Sequence, residues 1–440
     1  MQDTLDYART LARDEILEMQ TRGHDVAALQ AEFKRLTKAK RQSVERYHAL
    51  YEKAHALGDA PGYRGREPSD LAGIKKLRPR GPRVLKAPGG TRLKDKVLGG
   101  WLGRIAGCIL GKPVEGWPKQ KIEDALVKAR EYPLSDYFTE RFCKAAGMNR
   151  KPHCLRNNIR FAARDDDLDY TILGLHLVER HGFNFKPEHV AEQWLARFPY
   201  HMVYTAERVA YHNLVRGIEP PESASFENPY REWIGAQIRA DAFGLVSPGM
   251  PARAAQLAFS DAALSHTANG IYGEMWSAAT TAAAFSTDSP EDALRAGMRE
   301  IPQRSRLYEA LDATIDWSKQ HRDWQDTWQE IMRHCGKMSS VHTINNAMIV
   351  AMALMHGKGN FTRTIGIAVM GGLDTDCNGA TAGAMLGTML GAEKIPARWY
   401  NCFHDELHSV LVGFNVCSIA DLAERTYKQA LRHRRARAGR

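Results

Sequence analysis

A chain of 440 residues with 44% apolar content can bury one large or two medium cores. Its longest uninterrupted apolar run, Ala347 to Met355, falls far short of the ~18 residues a membrane span needs, and the polar start has no signal-peptide core, so neither a membrane protein nor an exported one is expected. Seven irregularly spaced cysteines fit reduced thiols in a cytoplasm, and the net charge of +10 favours anionic partners, although no aromatic interleaving or motif points to nucleic acid.

From Asp6 to about Leu57, good helix formers carry Leu11, Ile16, Leu17, Leu29, Phe33 and Leu36 among charges, which predicts an arm of amphipathic helices. A Gly- and Pro-rich connector follows, and regular structure resumes near Thr91. The expected division is therefore residues 1–90 as arm and connector, 91–430 as the main domain and 431–440 as a basic tail. The segments KKLRPRGPRVLK (Lys75 to Lys86) and LRHRRARAGR (Leu431 to Arg440) hold much of the positive excess and suggest a solvated linker and a frayed end. Beyond Thr91 apolar residues recur at three- and four-residue intervals while alternating runs are scarce, so the fold class is all-α.

Two windows repeat glycine every four residues: Gly99, Gly103, Gly107, Gly111 and Gly379, Gly383, Gly387, Gly391. An interior glycine costs about 0.5–1 kcal/mol relative to alanine, so four on one helical face imply a compensating close packing of another backbone. With Arg104 inside the first window, a soluble core with tightly crossing helices is expected rather than a membrane dimer.

The segment RDDDLDYTILGLHLVE presents Asp165, Asp166, Asp167 and Asp169 at the start of a helix. The helix dipole accounts for one or two acids there, but four crowded carboxylates repel one another, and a hard cation relieves that repulsion. A second cluster, GGLDTDCNG, sets Asp374 and Asp376 just after Gly371 and Gly372. Oxygen donors at this density suit Mg²⁺, Mn²⁺ or Ca²⁺ rather than zinc, for which Cys402 with His404, or His334 with Cys335, are too sparse. If the two clusters meet, five carboxylates point to two ions.

Four motifs, GGWLGRIAGCILGKPVEG, DDDLDYTILGLHLVE, SDAALSHTANGIYGEMW and GGLDTDCNGATAGAMLG, follow one another in an order that resembles the ADP-ribosylglycohydrolase family over about Thr91 to His408. The resemblance implies an all-α orthogonal helical bundle with a binuclear Mg²⁺ or Mn²⁺ centre in a cleft that binds ADP-ribose. It assigns metal ligation to Asp165, Asp166, Asp167, Asp374 and Asp376, and a substrate- or water-positioning role to Glu115. Substrate contacts are expected from Gly235 and Gln237 in a phosphate and ribose loop, from His266, Asn269 and Gly270, and from Gly372 and Asn378. Asp165 and Cys377 stand where the family motifs carry threonine, which leaves the aglycone open.

The activity so implied is metal-assisted hydrolysis of an N- or O-glycosidic bond of an ADP-ribosylated or related ribosyl substrate, with Asp166, Asp167 and Glu115 as the catalytic acids. Two alternatives are a class I terpene synthase-like enzyme, since Asp165, Asp166 and Asp169 match its Asp-Asp-x-x-Asp spacing, and a non-catalytic ADP-ribose-binding protein.

Overall fold

The computed structural model describes residues 4–148, 153–336 and 338–438. These are overwhelmingly helical, with one two-stranded ribbon, Glu406–His408 against Val416–Ser418. No helix among them is long and apolar enough to cross a membrane.

The arm consists of helices Leu5–Thr21, Ala27–Lys38 and Val44–His55, the first and third started by Thr4 and Ser43 side chains that accept backbone N–H bonds. Leu11 and Ile16 pack with Tyr47, Leu50 and Tyr51 in a small core separate from the main one. Polar contacts seat this unit on the main domain: Arg231 holds Glu15 through two hydrogen bonds of 2.8 Å, and Tyr230 donates to Asp14 at 2.7 Å.

The connector is not a solvated linker. Arg78 and Arg83 both pair with Glu300, at 2.6 and 2.9 Å, the N–H of Leu85 donates to the Gly249 carbonyl, and Glu67 clamps Arg306. Nor is the basic ending frayed as far as it is described. A helix runs from Ile419 to Ala438, burying His433 against Phe183 at a centroid distance of 3.9 Å. In both segments the charged residues find partners remote in sequence, which local composition does not reveal.

Two helices form the axis of the main domain. Gly90–Gly111 and Thr375–Leu390 run antiparallel, and a methyl added at Gly99, Gly103 or Gly107 would come within 3.0 Å of the carbonyl oxygen of Gly387, Gly383 or Gly379. Glycine is needed here because backbone touches backbone. The register continues one turn further, where Gly111 meets the backbone of Thr375, whose hydroxyl donates to the Gly111 carbonyl at 2.9 Å. The crossing thus carries the C-terminal end of the first helix to the N-terminal end of the second, between the two regions that hold the acids.

Candidate active site

A cavity of about 380 Å³ lies at that junction, lined by Lys112, Glu115, Asp165, Asp166, Asp374 and Asp376. Tyr170, Tyr204, Trp233 and Gly235 line it as well. The two acid clusters, far apart in the chain, therefore face one space.

Asp165 caps the helix Asp166–His181, its carboxylate accepting from the Asp167 N–H at 3.2 Å and pairing with Lys112. Burial works against the Lys112 charge, yet the neighbouring Asp165 holds its pKa above the ordinary lysine range. Asp166 is partly exposed to the cavity. Asp167 is buried beneath it, bound by the Arg104 guanidinium at 3.1 Å and by the Cys377 thiol at 3.2 Å. Arg104, fully buried, also pairs with Asp241 and donates to the Asp167 and Ile238 carbonyls, so the one cation within the glycine-repeat stretch Gly99 to Gly111 anchors the acidic helix. Asp169 serves elsewhere. Its carboxylate takes Arg164 at 2.8 Å and the Val410 N–H at 3.2 Å, so the Asp-Asp-x-x-Asp spacing does not become a set of three carboxylates in the cavity.

The second cluster is presented by a tight loop. Gly372 has φ +72° and its absent side chain leaves room for the Trp117 carbonyl and Lys119 N–H, 2.8 Å from where a Cβ would lie. Leu373 follows in the same left-handed region at φ +64°, a conformation a leucine holds only when its surroundings impose it. Its carbonyl accepts the Gly116 N–H at 3.0 Å, which fastens the loop to the turn bearing Glu115. As a result Glu115, Asp374 and Asp376 each offer an oxygen within 4.8 Å of the others. Asp376 also forms such a group with Asp167 and Cys377, and so sits where the two clusters join. Neither group includes Asp165 or Asp166.

Lys112 offsets the Asp165 charge and Arg104 that of Asp167, whereas around Asp376 the carboxylates act on one another. Burial, then the neighbouring Asp374 and Asp165 carboxylates, pushes Asp376 well above the usual carboxylate range, and burial raises Asp166 and Asp167 likewise. Glu115, at the mouth, is pushed up to about 7 by desolvation and by Asp374 and Asp165. One Asp376 oxygen is buried with no hydrogen-bond partner. A buried anionic oxygen without a donor is costly, and this donor set fits a hard divalent cation. The Cys377 thiol fits less well: burial and Asp167 raise its pKa, so it stays neutral and donates to that carboxylate.

Other expected contacts fall at varying depth. Gly235 lines the cavity, and the Glu207 carboxylate behind it leaves no space for a side chain. Gln237 is fully buried, with both amide atoms lacking partners, and does not line it. Neither do His266, whose Nδ1 meets the Ser265 hydroxyl at 2.8 Å, Asn269, which bonds Glu232 and the Leu307 N–H, nor Gly270, which packs on the Arg231 carbonyl. Gly372 and Asn378 stand behind the acids. Asn346 accepts from both Asn378 (2.8 Å) and the Asp374 N–H (3.2 Å), orienting the loop.

Arg104, Lys112, Tyr204 and Trp233 were not anticipated at the site. A lone arginine in a glycine-faced apolar run was a signal for the first, because a buried cation requires an anion. The aromatic pair left no local trace.

The ADP-ribosylglycohydrolase family model matches residues 90–436. A solved structure described as an "ADP-ribosylglycohydrolase-related protein complex" superimposes with a TM-score of 0.53 at 21% identity, covering 78% of this chain and all of that one, which speaks to the fold. No curated protein matches the sequence. With four-fifths of its length accounted for by that family model and the acids of both metal motifs facing one cavity, this chain belongs to the ADP-ribosylglycohydrolase family.

Proposed function

We propose that the protein is a cytoplasmic hydrolase that cleaves the N- or O-glycosidic bond at the anomeric carbon of an ADP-ribosylated or related ribosyl substrate, using Mg²⁺ or Mn²⁺, two ions in the full site. The observation that carries this reading is the position of Asp376, shared by two ligand groups and left with an unpartnered buried oxygen. Glu115, Asp374 and Asp376 form the all-oxygen set for one ion, while Asp167 and Asp376 are the carboxylates of the second group and Asp166 lines the same cavity. Bound cations supply positive charge that polarises the ribose hydroxyls and a water molecule.

The chain's own residues do the rest. Glu115, exposed at the mouth with a raised pKa, takes up the proton of the attacking water or delivers one to the leaving group. Negative charge along the floor favours the oxocarbenium character that develops on the sugar as the bond breaks. Arg104 acts as a positioning residue, fixing Asp167 from behind, and Lys112 holds Asp165. Tyr204 and Trp233 add aromatic side chains to the lining of the same cavity.

The test is a mass-spectrometric hydrolysis screen against ADP-ribosylated protein, ADP-ribosylated nucleic acid and nucleosides, with Mg²⁺ or Mn²⁺ and then with chelator. Chelator-sensitive release of a ribosyl product is expected. Saturable ADP-ribose binding with no product from any substrate would instead indicate a binding protein.

A further inference from the structure

The N-terminal arm contributes no residue to the acid-lined cavity, yet it lies against its rim. Between the helix Leu5–Thr21 and the main domain runs a groove of about 700 Å³. Thr10 and Leu17 line it from the arm, Tyr200 and Tyr230 from the other side. Tyr204, Thr205 and Trp233 line this groove and the acid-lined cavity alike, so the two spaces share one wall. That wall is fixed from the arm: Asp14 bonds the Tyr230 hydroxyl, Glu15 clamps Arg231, and the Trp233 ring lies 4.7 Å from that of Tyr230.

The chemistry of the groove differs from that of its neighbour. Tyr7, Tyr200, Tyr204, Tyr230 and Trp233 contribute rings to it, and its charged groups, Arg13 and Arg208 against Asp14 and Glu227, balance in sign. These charges are already engaged by the protein: Arg13 pairs with Asp14 at 2.7 Å, Arg208 donates to the Val203 carbonyl at 2.7 Å, and Glu227 accepts from the Tyr7 hydroxyl at 3.1 Å. The guanidinium groups of Arg164 and Arg208 lie over the Tyr204 ring, at 5.9 and 5.4 Å from its centroid, so the groove offers a ligand ring and aliphatic surface rather than a free charge, suited to an uncharged planar ring and unsuited to a further phosphate.

Resting on the glycohydrolase reading, we infer that the arm-walled groove is a subsite for a planar heteroaromatic ring carried on the same molecule whose ribosyl group enters the acid-lined cavity. Such a ring has two chemical sources: the adenine at the far end of an ADP-ribosyl group, or a base that is itself the leaving group. The family match begins at residue 90, so the arm that closes this groove lies outside it.

The full-length protein and its groove-filling variants Thr10→Trp and Leu17→Trp provide the test. Both positions are partly exposed on the arm, outside the acid-lined cavity. Calorimetric titration with Mg²⁺ and, for adenosine, also without it uses ribose 5-phosphate, ADP-ribose and adenosine as probes. Losing one stacked ring should weaken ring-bearing ligands at least ~10-fold while ribose 5-phosphate binds as to the wild type, which also reports an intact fold. Ring-bearing and ringless ligands weakened equally by both variants, or neither weakened, would overturn the subsite. Adenosine binding that needs Mg²⁺ marks the base as leaving group; binding that ignores Mg²⁺ marks a distal adenine. A wild type that ignores ribose 5-phosphate yet binds adenosine in a Thr10-dependent manner refutes the glycohydrolase reading and leaves the ring subsite standing.

Discussion

Two walls of the same cavity are held in place by opposite means. On the acid side, the helices Gly90–Gly111 and Thr375–Leu390 meet backbone to backbone, with no side chain between Gly103 and Gly383. On the aromatic side, the segment bearing Trp233 is held by a buried ionic clasp in which Arg231 meets Glu15, while Glu232 meets Arg22 and Arg306. The first contact has no part that can adjust, so it sets register and tolerates no added atom. The second depends on complementary charges, so it tolerates small movements but not the loss of one partner. A glycine crossing suits the acid-lined floor, where the placement of carboxylates from two helices depends on their register. A clasp suits the attachment of a separately packed arm.

This contrast can be broken by substitution. Gly103→Ala should be the most damaging change, because the new methyl meets a main-chain oxygen that can yield only if the helices part; a loss on the order of 4 kcal/mol or outright misfolding is expected in thermal or urea unfolding. A variant as stable as the wild type would show that the crossing is looser than described. Glu15→Gln leaves the Arg231 guanidinium buried without its anion and should cost about 3 kcal/mol, with hydrogen exchange rising first in the arm. Exchange rising first in the glycine helices would mean the two walls are not held separately.

Chemistry at the floor gives a sharper comparison. Asp376→Asn should reduce turnover at least ~100-fold and abolish the rise in melting temperature on adding Mg²⁺, with the helical circular dichroism unchanged. Wild-type metal stabilisation in that variant would remove Asp376 from the ligand set. The smallest effect concerns pH on the ionic side. His342 is buried beside Glu232, and desolvation lowers its pKa to about 4. A depressed histidine contributes stability that is complete above its unfolded pKa and lost as pH falls toward the folded value, so this group alone should cost roughly 1 kcal/mol at pH 5.5 relative to neutrality. The same melting shift in His342→Asn as in the wild type would assign the loss to other groups.

Much of the architecture was legible in advance. Apolar spacing exposed the helices, the four-residue glycine repeats exposed their close packing, and the crowding of Asp165, Asp166, Asp167, Asp374 and Asp376 pointed to two acidic regions that the fold brings to one place. Asp169 shows the limit of such reading. It belongs to the same run of acids, yet Arg164 and the Val410 N–H engage it. The connector and the basic ending show another, since Arg78, Arg83 and His433 owe their burial or pairing to Glu300, Phe183 and Ser247 rather than to neighbours in the chain.

Helical class, glycine faces and the whereabouts of acidic groups follow from the sequence because propensity, periodicity and charge crowding act within a few residues. Which acids come within reach of one another, that Arg104 fixes Asp167, and that the arm closes a groove beside the cavity were decided only in three dimensions. Each rests on contacts between segments distant in the chain, and such contacts depend on how the helices cross, which no local pattern encodes.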